Sequence, residues 1–296
     1  QSHNMAGPSS GYAYNEHFEI TKEIKEEYDQ KGYIIVRKLF SKEEISKIHK
    51  FILDKDFLQK RYYNVDGEKE KVGMVMWNHP GDDLTGWVAR CNKMVDTAEK
   101  LLGGEAYHYH TKLVLKEAKT GGAFHWHQDY GYWYENGCMF PNMLTVWLAL
   151  DQADKENGCV QILEGSHQMG RVHHIATPSQ VTVEQDRLEW AKKLFPLVYL
   201  ELAPGDAAFF HCNILHTSAP NKSERNRYGF LTAYNRMDND PMIDHHHPRA
   251  TKLHKVPNSI ILEEESPNVD WESKDFIQPG HDTKHVALER VKARER

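Results

Sequence analysis

The run Phe124-His125-Trp126-His127-Gln128-Asp129 decides how this chain is read, because it holds a His-x-Asp pair, His127 and Asp129. Far downstream, Phe209-Phe210-His211-Cys212-Asn213-Ile214-Leu215-His216-Thr217-Ser218 offers a remote imidazole. Two imidazoles and one carboxylate on one face suit Fe(II) and leave the opposite positions open for a co-substrate and O2. In an ideal strand His125, His127 and Asp129 share a face, so His125 competes with His127. Positions 211 and 216 face opposite ways in one continuous strand, so at most one of His211 and His216 reaches the metal. His216 is preferred because Arg227 lies beyond it. A guanidinium buried beside a metal is costly unless a carboxylate meets it, and its planar fork suits a bidentate partner. A dicarboxylate co-substrate would chelate the metal with a 2-oxo acid end and place its far carboxylate on Arg227, with Ser218 as a second donor.

Working outward, the pair follows a long period-two stretch. His108, His110, Lys112, Val114 and Lys116 alternate with Tyr109, Thr111, Leu113 and Leu115, which predicts a strand. Apolar strand-like runs recur at 143–150, 158–163, 197–202, 206–211 and 228–234. Turn signals separate them, among them Asn157-Gly158, Gly165-Ser166 and Pro204-Gly205-Asp206. Many short strands with regular turns indicate a mainly β sandwich or barrel, which returns sequence-distant strands to one mouth. Residues 183–195 read as a helical insertion between strands.

Upstream, the first sixty residues predict helix, strand, helix. Thr21 to Gln30 is helix-compatible and closed by Gly32, and Tyr33-Ile34-Ile35-Val36 reads as a strand. Ser41 and Glu44 form a capping box ahead of Ile45, Ile48 and Ile52 at helical spacing. Gly67, Gly73, Pro80 and Gly81 mark turns in a mixed region, and Val95, Ala98, Leu101 and Leu102 suggest a third helix ended by Gly103-Gly104. The expected organisation is an arm over 1–16, beginning with a tag-like scar Gln1-Ser2-His3-Asn4, then one domain over 17–239. Residues 240–296 are expected to be loops and a peripheral helix that wrap the same domain.

The chain has 296 residues, 40% of them hydrophobic, enough for a large core without disulfides. A formal net charge of -6 argues against a nucleic-acid surface. Four cysteines without a C-x-x-C pair, and no signal peptide or apolar span, suggest a cytoplasmic protein with reduced thiols and no membrane partner. Its partner is expected to be a small molecule. Tyr130, Tyr132, Trp133 and Tyr134 follow the metal pair and offer an aromatic substrate wall, which suits a zwitterion or a cation. His245-His246-His247 makes a poor second metal site, since consecutive side chains diverge.

Taken together, His127-x-Asp129, Trp147, Asn157-Gly158-Cys159, Gly165-Ser166-His167, Pro204-Gly205-Asp206, His216-x-Ser218 and Arg227 resemble the phytanoyl-CoA dioxygenase family. The run Phe124-x-Trp126-His127-x-Asp129 followed by Trp133 is most similar to its ectoine hydroxylase branch. The resemblance covers roughly residues 25–250. It implies a double-stranded β-helix (a cupin-like jelly roll) with N-terminal helices packed on it. The implied activity uses Fe(II), 2-oxoglutarate and O2 to hydroxylate an unactivated C–H of a small, polar or zwitterionic metabolite, with release of succinate and CO2. By resemblance His127, Asp129 and His216 are the catalytic iron ligands, and Arg227 and Ser218 hold 2-oxoglutarate. Trp147 lines the same pocket, with Lys116 and Phe124 in the co-substrate region. Trp133, Tyr130, His110 and Lys112 are the candidate substrate contacts. His110, Lys112 and Val114 depart from the ectoine branch, which carries glutamine, arginine and asparagine there. A non-catalytic sensor on the same barrel, or a zinc hydrolase with the same ligands, are the rival readings.

Overall fold

Residues 11–54, 56–66, 70–177, 180–265, 268–277 and 293 are described by a computed structural model. The chain opens with β1 (Tyr12–Ala13), α1 (Lys22–Lys31), β2 (Tyr33–Arg37) and α2 (Lys42–Asp54). Thr21 caps the first turn of α1, and Gly32 ends the helix at φ 82, a conformation that glycine adopts without strain. The capping box of α2 closes both ways, Ser41 N to Glu44 Oε2 at 2.7 Å and Glu44 N to Ser41 Oγ at 3.1 Å. Ile45, Ile48, Phe51 and Ile52 form the buried stripe of α2. Each such side chain stabilises the fold by roughly 1.5–3 kcal/mol.

Next come β3 (Tyr62–Asp66), β4 (Glu70–Trp77), α3 (Leu84–Arg90), α4 (Asn92–Leu102), β5 (Ala106–Lys116), β6 (Phe124–His127) and α5 (Asp129–Trp133). The β-rich half holds β7 (Met143–Ala149), β8 (Val160–Leu163), β9 (His174–Ala176), β10 (Val181–Val183), α6 (Gln185–Leu194), β11 (Leu197–Tyr199), β12 (Ala207–His211), β13 (His216–Ser218) and β14 (Arg227–Arg236). The short α7 (Ile260–Glu263) follows.

Eight strands form one sheet in the order β1-β2-β12-β7-β14-β5-β4-β3, and four form a second in the order β11-β8-β13-β6. The large sheet works on both faces. Phe209 and Phe230 pack with Ile48, Val88 and Val95 on the helical side, whereas Phe210 and Leu231 pack inward with Val160, Ile162 and Val198 of the small sheet. That alternation of adjacent residues is the period of two expected of a strand buried on both sides. The result is the expected jelly roll, with N-terminal helices on one face and a cavity between the sheets.

Three expectations change. The N-terminal arm contributes β1, which pairs in parallel with β2. Residues 60–88 hold two strands and a helix, and Gly73 is a strand residue, where a Cβ would meet Arg61 Cδ at 2.9 Å. The uniform alternation of β5 breaks at Tyr109, because β14 pairs Ala233 with His110 and Tyr234 with His108, leaving Tyr109 bulged. His108 is thereby turned to the face of Thr111, whose Oγ1 lies 2.7 Å from its Nε2, and away from His110. Beyond residue 239, where loops and a peripheral helix are expected, two side chains enter the interior. Ile261 is buried among the helices, and Lys274 is fully buried 3.0 Å from Asp83. Gln1–Asn4, Gly67 and the expected helical tail over 284–296, residue 293 apart, lie outside the described residues. No helix among the described residues is long and apolar enough to cross a membrane.

Candidate metal centre

The centre begins with strand register. β13 runs antiparallel to β6 with His216 directly opposite His127, so both imidazoles stand on one face. Asp129 lies at the start of α5, where the backbone turns out of β6. Gly131 permits this turn, since a Cβ there would run into the His174 ring, whose Nε2 accepts a bond from Gln128 N at 3.0 Å. Asp129 Oδ1 is 3.7 Å from His127 Nε2 and 3.6 Å from His216 Nε2. One ligand atom from each of the three lies within 4.8 Å of the others, the single group of this kind found among the described residues.

The surroundings decide which atoms are free. His127 Nδ1 donates to the carbonyl of His125 at 2.7 Å, and His216 Nδ1 to that of Ile214 at 3.0 Å. Both rings therefore carry the proton on Nδ1 and turn the Nε2 lone pair to the centre, the tautomer a metal needs. Thr145 Oγ1 donates to Asp129 Oδ2 at 2.6 Å, leaving Oδ1 towards the histidines. Burial opposes the charge on Asp129, but its contacts with His216 and His127 and the field of Lys112 outweigh it and hold the carboxyl well below the usual range. Burial pushes His216 down to about 4, so its ring is neutral at physiological pH.

The rival histidines lie elsewhere. His125 is not one of the three converging groups, and its backbone carbonyl accepts from His127. His211 packs against His167 at 5.2 Å, and its Nδ1 accepts from Asn213 N. The motif turns are scaffolding. Ser166 Oγ accepts from Leu215 N at 2.9 Å and fixes the strand entering His216. Gln128, fully buried between His127 and Asp129, donates to Gly170 and Asn213 and accepts from Val172.

Arg227 opens β14 opposite Lys116 of β5. It is fully buried, none of its three guanidinium nitrogens has a hydrogen-bond partner, and it stacks over Trp147 at 4.5 Å. Burial lowers its pKa to about 10, which still leaves it charged. Lys116, also fully buried, donates to Ser218 Oγ at 2.8 Å and to the carbonyl of Ala219, with Phe124 beside its ammonium at 5.9 Å. Two cations thus sit side by side beyond the triad.

A cavity opens on the triad. Its lining includes Trp147, Ser218 and Phe124, which touch the two cations, and His110, Lys112 and Trp133. Arg227 and Lys116 lie just behind its wall. Tyr130 does not line it. Its hydroxyl donates to the carbonyl of Cys138 at 2.9 Å, and its neighbour Tyr132 takes the cavity position because a one-turn helix rotates successive side chains apart. The sequence reading missed Tyr62, Met74 and Met76 of the wall and Thr145 behind Asp129. Only the period-two spacing of the two methionines hinted at theirs. All four cysteines are free and buried, and Cys212 behaves as a core thiol bonded to the Pro141 carbonyl.

A jelly roll with two histidines and an aspartate converging at the mouth defines the class of non-haem metal oxygenases built on this barrel. The chain belongs to the phytanoyl-CoA dioxygenase (PhyH) family, whose profile matches residues 28–229. It is 32% identical over 179 residues to the L-proline trans-4-hydroxylase of Streptomyces griseoviridis, covering 55% of this chain and 67% of that one. It is 24% identical over 240 residues to an ectoine dioxygenase of Stutzerimonas stutzeri, covering 74% and 78%. The crystal structure of EctD from S. alaskensis with 2-oxoglutarate and 5-hydroxyectoine superposes with a TM-score of 0.63 at 20% identity, over 87% of this chain and 95% of that one.

Proposed function

We propose that this chain is an Fe(II)- and 2-oxoglutarate-dependent dioxygenase that hydroxylates a C–H bond of a small polar or zwitterionic metabolite. The donor set fits the metal: two neutral imidazole Nε2 atoms and one carboxylate oxygen meet on one face, and the outer nitrogens and oxygen are already held. When bound, iron and O2 supply the oxidation, with 2-oxoglutarate leaving as succinate and CO2 and one oxygen atom entering the substrate.

The observation that carries the proposal is Arg227, a fully buried guanidinium with no acceptor. An unpaired buried charge is costly, and a carboxylate in bidentate contact offsets that cost. The role of Arg227 is to bind the far carboxylate of 2-oxoglutarate. Trp147 holds its fork flat, and Lys116 orients Ser218 as a further donor. His127, Asp129 and His216 hold the metal, and the cavity walls aim the substrate and keep water from the reacting atoms. A zinc hydrolase or a sensor on this barrel has no need of a buried guanidinium at that place. The two relatives named above act on proline and ectoine, both small zwitterions, which supports the same substrate size.

Incubation with Fe(II), 2-oxoglutarate and a metabolite library should give succinate that depends on O2 and is stimulated by particular metabolites. Substrate conversion that persists without O2 would replace the proposal with hydrolysis.

A further inference from the structure

The co-substrate anchor has an acid of its own nearby. β7 carries Trp147, on which Arg227 stacks, and the chain then runs on to Asp151. There it meets the start of β14. Leu150 N and Asp151 N donate to the carbonyl of Tyr228 at 3.1 and 3.3 Å, and Tyr228 N donates to Asp151 Oδ2 at 2.9 Å. Asp151 is thereby fixed to the residue next to Arg227. Its negative charge acts on the guanidinium and favours the charged form, against the burial that lowers it.

The other oxygen of Asp151 is met from α2. His49 places Nε2 3.3 Å from Asp151 Oδ1, and its ring lies nearly parallel to that of Tyr228, at 6.1 Å and 14°. The contact with Asp151 raises the imidazole above its ordinary pKa, against the pull of partial burial. The side chains of His49 and Asp151 are 30% and 24% exposed, so solvent protons reach the pair. On its own helix, Lys42, Lys50 and Asp54 share the groove in which His49 stands. On the β14 side, Arg61 and Glu117 act on the Tyr228 hydroxyl and pair with each other at 2.7 Å.

We infer that Asp151 is the internal counter-ion of Arg227, and that the proton on His49 decides how strongly Asp151 competes with the co-substrate for that guanidinium. This rests on the proposed function and adds a control to the same anchor. With His49 charged, the imidazolium matches the Asp151 carboxylate, and the field of Arg227 is left to the far carboxylate of 2-oxoglutarate. With His49 neutral, Asp151 keeps an uncompensated charge that repels the incoming carboxylate and draws on the same guanidinium. Co-substrate binding therefore weakens as pH rises through the titration of His49. By linkage, the bound dianion in turn favours the protonated ring. His49 is a positioning residue, since it acts through Asp151 and does not line the cavity.

The test is calorimetric titration of 2-oxoglutarate into the full chain at saturating Zn(II), which takes the same donor set without turnover. Between about pH 6 and about pH 8 both carboxylates of the ligand stay ionised. The wild-type Kd should rise roughly two- to fivefold over that interval, the worth of a part-exposed charge pair. His49→Gln should lose the slope and keep the weak, high-pH Kd. Asp151→Asn, whose amide oxygen still accepts from Tyr228 N, should lose the slope and keep the tight, low-pH Kd. Loss of a merely structural contact would weaken both variants at every pH. A wild-type Kd equal at the two ends, a slope as steep in His49→Gln, or an Asp151→Asn chain that binds as weakly as His49→Gln would each overturn the inference. The His49 ring protons, followed by NMR in the same Zn(II) sample, should titrate at higher pH with 2-oxoglutarate bound than without it, and an unchanged midpoint would also overturn it. Failure of the wild-type chain to bind 2-oxoglutarate at any pH would instead overturn the proposed function itself.

Discussion

Thr145 shows how a residue outside the metal face sets what the face can do. Its hydroxyl occupies Asp129 Oδ2 at 2.6 Å, so the carboxylate meets a metal through one oxygen in a fixed plane. Thr145→Val keeps the volume and removes the donor. It should weaken metal affinity by about 10- to 100-fold with the fold intact, measured by anaerobic metal titration alongside circular dichroism. Asp129→Ala and His127→Ala should abolish both metal retention and turnover. Arg227→Ala should raise the 2-oxoglutarate requirement by roughly 10- to 150-fold, the worth of a charge-assisted bidentate contact at about 1.5–3 kcal/mol. An unchanged requirement would remove Arg227 from the co-substrate site. Arg227→Lys should rescue poorly, because a point charge neither forks nor stacks flat on Trp147.

At the scale of the element, the strands carrying these groups are held by turns that look merely structural. In the turn ahead of β12, Asp206 accepts from Lys38 N at 2.8 Å, Ala203 N at 3.0 Å and Arg37 at 2.7 Å. Gly205 stands at φ +93, and a Cβ there would run into the Phe40 carbonyl. Asp206→Ala should therefore cost roughly 2–4 kcal/mol in urea denaturation, since it strands buried donors as well as losing bonds. On β14, a Cβ at Gly229 would lie 2.6 Å from Trp147 Cζ2. Gly229→Ala should push the indole off Arg227 and raise the 2-oxoglutarate requirement more than it lowers the melting temperature. The reverse ranking would make Gly229 a packing residue only.

Across the whole molecule, the buried histidines set a pH limit. Burial depresses His108 and His174 to about 3 and His211 to about 4, each partly offset by polar neighbours. The unfolded chain takes up these protons near pH ~6.5, well before the native protein does. Their stabilisation is complete above that pH and is lost as pH falls from there towards the folded values. Between pH ~6.5 and ~5 each should cost about 2 kcal/mol. The melting temperature should drop steeply over that interval, and a flat profile would show that these rings are reached by solvent.

Much of the site was legible in the sequence because its chemistry is written in residue types. His127, Asp129, His216 and Arg227 are the donors such a centre needs, and their order along the chain is that of strands returning to one mouth. Helix caps were equally local: Thr21, Gly32, Ser41 and Glu44 act within one turn of where they stand. Choosing His216 over His211 was an inference that only register settled, by setting His216 opposite His127. The bulge at Tyr109 was invisible because nothing in β5 marks it. It arises from pairing with β14, and it decides that His110 faces the cavity while His108 does not. Thr145, Tyr62 and the stacking of His247 on His110 were likewise hidden, since a neutral side chain shows its role only once a distant strand or loop has been packed against it. The sequence by itself determined which atoms could bind a metal and an acid, and the tertiary structure alone decided which of them face the same space, because direction in a sheet depends on its partner strands.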